Sequence, residues 1–379
     1  MTDPKPPRVL VVGGAGYFGS LLVQDLLNFS QCHIVVGGRD LIRATAFCHS
    51  QGSASSDRLT PVEIDLHRSE SIEPALADVQ VAICAAGPFQ KLSTTLVEKC
   101  LIRGIPYVDL ADDRNYVRAV TQLVQQRTAC TLPAVCTGWS AVPALSGVLA
   151  RIAAETMASI ESIHIQIAPG NRAPRSTGTV ASLLASVGGW FTVWHKGDWR
   201  KVKGWSEPRL FEFQKPIGRR AGYLVDVPDY DIFPALFSSP VVEFRVGSEL
   251  AIFNKALSFL SWLSKKDWVR DWTSWAKVFQ RGMSISGFLG HDSGAVGVEV
   301  VGVDRTGNRI KRQVCVIAEH FGQRIPAMPA SIMTQLLLSG DTTYHGLIPV
   351  DGWMSRHALE MECTRRGFRL TDELKETPQ

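Results

Sequence analysis

The run Arg8-Val9-Leu10-Val11-Val12, followed at once by Gly13-Gly14-Ala15-Gly16-Tyr17-Phe18-Gly19 and then Ser20-Leu21-Leu22-Val23, constrains the fold more than anything after it. An unbroken Val/Leu run reads as a parallel strand buried on both faces. The glycine-rich turn then feeds an amphipathic helix. Gly14-x-Gly16-x-x-Gly19 has the spacing of a dinucleotide-binding turn. The first glycine is expected to make the turn, the second to let the backbone approach a pyrophosphate, and the third to let helix and strand pack closely. Gly14, Ala15, Gly16, Tyr17, Phe18 and Gly19 are therefore the expected phosphate-binding residues, at a helix N-terminus whose free N–H groups favour anions. Taken alone the glycine spacing is weak; the strand before it and the helix after it give it weight.

Twenty residues on, a second strand over Cys32–Val36 ends in Gly37-Gly38-Arg39-Asp40. A fold that prefers NAD usually places an acid at this strand end, on the ribose 2′-OH. Here Gly37 and Gly38 remove that acid and Arg39 puts a planar cation where a 2′-phosphate would sit. The expected cofactor is NADP(H), with NAD(H) as the alternative through Asp40 on the ribose. A solvated surface arginine is the competing reading of Arg39.

A chain of 379 residues exceeds what one hydrophobic core usually supports, so two domains are expected. The formal charge of +4 is mild and includes no Lys/Arg block of the kind that binds nucleic acid. Eight cysteines are scattered without a Cys-x-x-Cys pair, which fits reduced core thiols in the cytoplasm better than a disulfide frame or a zinc site. Nine histidines show no metal spacing. The first seven residues lack the apolar core of a signal peptide, and no apolar run reaches the ~18 residues of a membrane span.

Tryptophan divides the chain: residues 1–138 contain none, and eight of the ten lie between Trp190 and Trp275. The first part alternates strand and helix, with strands at Val62–Leu66, Val79–Ala86 and Ile105–Leu110 and helices at Thr94–Arg103 and Asn115–Arg127. That rhythm means a doubly wound parallel sheet, with ligands outside the carboxyl ends of its strands. Asp65, Ala86, Gly87 and Pro88 join the expected cofactor residues on this rule. Ile160–Ala168, Ala295–Val303 and Lys311–Ala318 alternate as strands with one wet face, the last two joined by the turn Asp304–Asn308. A helix is expected at Thr179–Trp194, and two more at Ser331–Leu338 and Ser355–Arg366. The predicted architecture is α/β: a Rossmann domain over 1–138, an inserted α+β domain with a mixed, mainly antiparallel sheet over 139–340, and a helical segment over 341–379 packing back on the first domain.

Five motifs occur in a telling order: Gly14-x-Gly16-x-x-Gly19, Gly37-Gly38-Arg39, Cys84-Ala85-Ala86-Gly87-Pro88-Phe89, Tyr107-Val108-Asp109 and Thr137-Gly138-Trp139-Ser140-Ala141-Val142-Pro143. Over residues 8–150 the chain resembles the saccharopine dehydrogenase-like family of NAD(P)-binding oxidoreductases, in its uncharacterised branch. A weaker likeness extends to Gly178-Thr179-x-x-Ser182, Gly340…Gly346 and Arg366-Gly367-Phe368. The resemblance implies a mixed-sheet second domain inserted before the last helices, and a homodimer through it. In saccharopine-forming members an acid stands in the turn where this chain has Ser140. A serine hydroxyl does not shuttle a proton unaided at neutral pH, so saccharopine chemistry itself is not expected.

The catalytic candidates are Asp109 at the fifth strand end, Asp113 in the next loop and Ser140; a helix N-cap is the competing reading of Asp113. No Tyr-x-x-x-Lys pair, nucleophile elbow or Walker lysine is present. Trp268, Trp272, Trp275 and Phe279 recur on one helical face beside Lys265, Lys266, Arg270 and Lys277. A core or dimer-interface helix is the expected reading, and a peripheral membrane contact or a lid over an apolar pocket the alternatives. The expected function is hydride transfer to or from a C=O, C=N or polarised C=C carbon of a small or lipid-like substrate. A dinucleotide-binding redox sensor or membrane-associated binding protein without turnover is the alternative.

Overall fold

The computed structural model describes residues 5–127, 132–172, 184, 186–264, 272, 275, 278, 279, 281, 289–340 and 344–376. The chain forms two compact units, one of residues 1–141 and 326–350, the other of residues 142–325 and 351–379.

The first unit is a six-stranded parallel sheet in the order β3-β2-β1-β4-β5-β6. Its strands are β1 (Arg8–Val12), β2 (His33–Gly38), β3 (Leu59–Glu63), β4 (Val81–Cys84), β5 (Tyr107–Asp109) and β6 (Val135–Cys136). Val9, Leu10 and Val11 of β1 are fully buried, as an unbroken apolar central strand requires. Helix α1 (Tyr17–Phe29) turns Leu22, Val23 and Leu26 inward at a spacing of three to four residues. The strand order reverses between β1 and β4, which puts a crevice beyond their carboxyl ends.

Two sequence expectations shift here. The third strand lies three residues earlier than Val62–Leu66, so Asp65 falls beyond its end, in the turn. The helix that packs on α1 and beside β4 and β5 is Met328–Leu338, seven of whose eleven residues are buried. The first unit thus takes in residues 326–350 as well, and Leu347 bridges Val135 beside β6.

The second unit is a nine-stranded mixed sheet in the order β10-β11-β12-β7-β13-β14-β15, with β8 pairing both β12 and β9. Its strands are β7 (Met157–Pro169), β8 (Trp190–His195), β9 (Asp198–Lys203), β10 (Arg209–Glu212), β11 (Arg219–Leu224), β12 (Val242–Val246), β13 (Gly294–Asp304), β14 (Arg309–Ala318) and β15 (Phe368–Glu376). Within this second sheet only β7 and β12 pair in parallel among the described strands. Asp304 shapes the β13–β14 turn by accepting the N–H groups of Thr306 and Asn308 on one carboxylate oxygen at 2.8 and 2.9 Å.

Neither face of the β13–β14 centre is wet. Helix Ser146–Ala154 lies over one face, where Ile163, Ile165, Val298, Val300 and Val314 point. On the other, Phe211, Phe213 and Ile217 fold over Ala295, Cys315 and Ile317. The polar members of that face are satisfied in place: Arg209 and Lys311 hold the Glu299 carboxylate at 2.5 and 2.8 Å. His164 and Arg245 hold Glu243 at 3.0 and 2.5 Å. Buried carboxylates persist only when paired in this way.

The C-terminal segment differs most from expectation. Helix Arg356–Arg365 buries only Leu359 and Cys363 and packs on β15, which pairs antiparallel with β14 in the second unit. The stretch Trp190–Trp194, expected to close a helix, is strand β8. Residues 173–183, with the Gly178–Ser182 motif, lie outside the described residues, as do Cys130 and Trp268. Trp272 is 7% exposed, in a core with Trp205, Tyr223 and Leu257, and its indole donates to Ser264 at 2.9 Å. Phe279 packs against the same core, while Trp275 is 51% exposed, so the expected aromatic face divides.

Candidate dinucleotide site

The site is built where β1, β2 and β4 end. Gly13, not Gly14, makes the turn: its φ is +78°, and a Cβ there would come within 2.8 Å of Ala86 Cα. Only glycine takes that conformation at so close an approach. The signal for it was the doubled glycine directly after the strand. Gly14 packs above Val11 and Val36, and Gly16 would carry a Cβ 2.9 Å from the Gly13 carbonyl. At Gly19 the same oxygen would be only 2.0 Å away, so this glycine wedges α1 against the loop. Gly16 is the N-cap of α1 and has no side chain to cap the first turn, which also contains no acid. Tyr17 and Phe18 open that turn with their rings edge to face. An uncapped N-terminus with its positive dipole end is suited to a phosphate.

The end of β2 supplies the second part. No atom lies within 4 Å of where a Cβ of Gly38 would stand, so the strand leaves open the place where an acid would be. Arg39 is exposed and makes no hydrogen bond or ion pair among the described residues. Asp40 is committed elsewhere: it is the N-cap of α2 (Leu41–Ser50) and accepts the Arg43 N–H at 3.0 Å. Sequence reasoning missed Arg43, whose guanidinium donates to the Ala15 carbonyl at 3.1 Å and so ties the glycine loop to α2. Its signal was a second cation four residues after Arg39, in the first turn of a capped helix.

Beyond β4, Ala85 donates its N–H to Val12 at 2.8 Å and Ala86 abuts Gly13, which aligns this loop with the glycine turn. Gly87 and Pro88 follow, exposed and joined by a cis peptide bond. Asp65 turns inward on its own loop, accepting the His67 N–H at 3.0 Å and lying 3.6 Å from the Arg68 guanidinium.

The three catalytic candidates occupy the ends of β5 and β6. Asp109 is fully buried, and its Oδ1 accepts the N–H groups of Ala111 and Gly138 at 2.9 and 2.7 Å. Its main-chain carbonyl accepts the Trp139 N–H at 2.7 Å, so one residue shapes the whole Gly138–Ser140 turn. Oδ2 makes no hydrogen bond. Burial pushes the Asp109 carboxyl up to about 6, against the lowering pull of the Gly138 and Ala111 bonds. Asp113 is the N-cap of helix Arg114–Gln125, accepting the Tyr116 N–H at 2.9 Å. Ser140 is half-buried, with its N–H on the Gly138 carbonyl at 2.8 Å.

The glycine turn, the vacant acid position and the strand-order reversal are those of a dinucleotide-binding oxidoreductase fold. Residues 9–131 match the family model described as the saccharopine dehydrogenase NADP binding domain. The apo saccharopine dehydrogenase (L-Glu forming) of Saccharomyces cerevisiae is similar in fold, with a TM-score of 0.67 at 14% identity over 97% of this chain and 100% of that one. The chloroplastic protein TIC 62 of Arabidopsis thaliana is 29% identical over 131 residues, 32% of this chain and 19% of the length of that protein. Over residues 9–131 the first unit is thus similar to the NADP binding domain of saccharopine dehydrogenases, and this likeness supports a nicotinamide dinucleotide as its cofactor.

Proposed function

We propose that the protein is an NADP(H)-dependent oxidoreductase acting on a C=O, C=N or polarised C=C carbon of a small or lipid-like substrate. The observation that carries the cofactor choice is the end of β2: Gly38 faces open space, Arg39 is uncommitted and Asp40 is used as a cap. A 2′-phosphate fits a free guanidinium better than a ribose diol does, because the pair is charge-assisted and bidentate. When bound, the dinucleotide supplies or accepts the hydride. The chain's own part is to hold the pyrophosphate at Gly14–Gly19 on the α1 N-terminus and the 2′-phosphate at Arg39. Arg43 fixes the loop between them.

Asp109 with its raised pKa can hold a proton near neutrality, and in this proposal it acts by setting the turn that presents Ser140. Asp113 takes the role of helix cap. Buried thiols at seven cysteines fit a reducing compartment, the cytoplasm, and the second unit's sheet is where a homodimer would form.

The test is a titration of NADPH and NADH against the whole chain, followed by NADPH oxidation with a panel of carbonyl, imine and enoyl compounds. Tighter NADPH binding with turnover of one class supports the proposal. Tight NADPH binding without turnover of any class supports the second reading, a redox sensor, which the commitment of Asp109 and Asp113 to backbone N–H groups favours. Equal affinity for the two dinucleotides overturns the NADP assignment.

A further inference from the structure

Helix Ala251–Ser264 in the second unit carries apolar side chains on its outer side as well as toward the core. Its buried face carries Asn254, Leu257 and Ser261. Asn254 accepts the Ser248 N–H at 2.8 Å and returns a bond to the Ser248 carbonyl at 2.9 Å. Ser261 donates to the Gly204 carbonyl at 2.7 Å. At the C-terminal end Gly188 leaves room for Ser264, since a Cβ there would stand 2.5 Å from the serine Cβ. Phe253, Leu260 and Leu263 pack beside Leu257 on the core of Trp205, Tyr223 and Trp272, so apolar contacts and these polar bonds together seat the helix. Its outer stripe is Ala251, Ile252, Lys255, Ala256, Phe259 and Trp262, all exposed. Ile252 is 71% and Phe259 57% exposed, and the Phe259 and Trp262 rings stack with centroids 5.7 Å apart. Surface helices normally keep the outward face polar, and a contiguous apolar face left outward marks an interaction site.

Charge selects the occupant. The helix contains Lys255 and no acid, and Lys265-Lys266 follow its last residue directly. Residues 251–281 hold six cations and two carboxylates, which is the whole formal excess of +4 of the chain. A second copy of the same face would oppose like charges, which disfavours the pairing. An anionic lipid surface satisfies both features, taking the aromatic rings at headgroup depth and the cations on lipid phosphates. Fourteen helical residues span about 21 Å, short of the roughly 30 Å hydrocarbon core, so such a helix lies on a bilayer. We infer that the outer face of helix 251–264, with Phe259 and Trp262 as its apolar anchors, docks this protein on an anionic membrane surface.

The test is cosedimentation of the full chain with vesicles of phosphatidylcholine alone and of phosphatidylcholine with phosphatidylserine, at low and high salt, beside light scattering for oligomeric state. The expected result is sedimentation with the phosphatidylserine vesicles that falls roughly tenfold at high salt, as polybasic contacts do. Phe259→Glu is expected to abolish it while leaving the far-UV spectrum and NADPH binding unchanged, and Lys255→Glu to weaken it. Two results overturn the inference. One is vesicle binding that survives Phe259→Glu. The other is no vesicle binding by the wild type, whether the chain stays monomeric or forms a dimer that Phe259→Glu dissolves, in which case a second copy covers the face.

Discussion

Arg39 and Gly38 make opposite demands on the same place, and that makes them separable. Arg39→Ala is expected to weaken NADP(H) by about 1.5–3 kcal/mol, the scale of a charge-assisted hydrogen bond, and to leave NAD(H) nearly unchanged in a fluorescence titration. Gly38→Asp has open space for its side chain, so it is expected to fold like the wild type and to invert the preference toward NAD(H). Equal losses for both cofactors in either variant would remove the 2′-phosphate from Arg39. Gly19 answers to packing instead. A methyl group there meets the Gly13 carbonyl at 2.0 Å, and Gly19→Ala should lower the free energy of unfolding, read from urea titration, by about 1–3 kcal/mol, the usual scale of overpacking. Gly16 is pressed by the same oxygen at 2.9 Å, so Gly16→Val is expected to abolish dinucleotide binding through displacement of the loop.

At the scale of elements, Asp113 distinguishes a cap from a catalytic acid. Its carboxylate satisfies the Tyr116 N–H at the start of helix Arg114–Gln125. Asp113→Ala should cost about 1 kcal/mol in denaturant unfolding, and Asp113→Asn or Asp113→Ser should restore most of it, because all three side chains cap. A turnover rate that drops a hundredfold in Asp113→Asn, with stability intact, would return the residue to the chemistry. The two C-terminal helices follow from composition in a similar way. Met328–Leu338 is apolar enough to cover α1 and the sheet, whereas Arg356–Arg365 offers two buried side chains, enough to flank the edge strand β15 and little more.

Across the whole molecule, buried carboxyls divide into two kinds with opposite pH signs. Burial pushes Asp229 up to about 7, opposed by a 2.6 Å bond from Ser146. A folded pKa above the unfolded one means the native state holds its proton more tightly, so this contribution to stability is present below about pH 4 and is lost as pH rises to 7. Relative to Asp229→Asn, the wild type should lose about 3–4 kcal/mol between pH 4 and pH 8, at roughly 1.4 kcal/mol for each unit of displacement. Glu243 has the other sign. Burial alone would raise it, but the His164 bond and the Arg245 guanidinium hold it below the usual range. Its contribution is present above about pH 4.5 and is lost on acidification, so wild type and Glu243→Gln should converge below that pH. Urea midpoints across pH 3–8 check both signs; a Asp229→Asn curve parallel to the wild type would mean Asp229 ionises normally.

What the sequence determined by itself lies within short spans of chain. The β1–loop–α1 unit, the missing acid after β2, the β13–β14 turn and the parallel order of the first sheet each depend on residues a few tens apart, where period and turn chemistry leave one answer. Tertiary structure decided what local pattern leaves degenerate. Strand β3 slid three residues because its partner β2 set the register, which took Asp65 out of the strand. Asp109 reads as an acid at a strand end until the Gly138 N–H, 29 residues away, closes on it. The alternation in β13 predicts a wet face, and only the return of Phe211 and Phe213 over it makes that face dry. In helix 251–264 the stripe of Ile252, Phe259 and Trp262 has the look of a core face. The packing of Phe253, Leu257 and Leu260 on Trp205 and Tyr223, with the Ser261 bond to the distant Gly204 carbonyl, turned it outward, because which of two apolar faces is buried depends on where the partners lie.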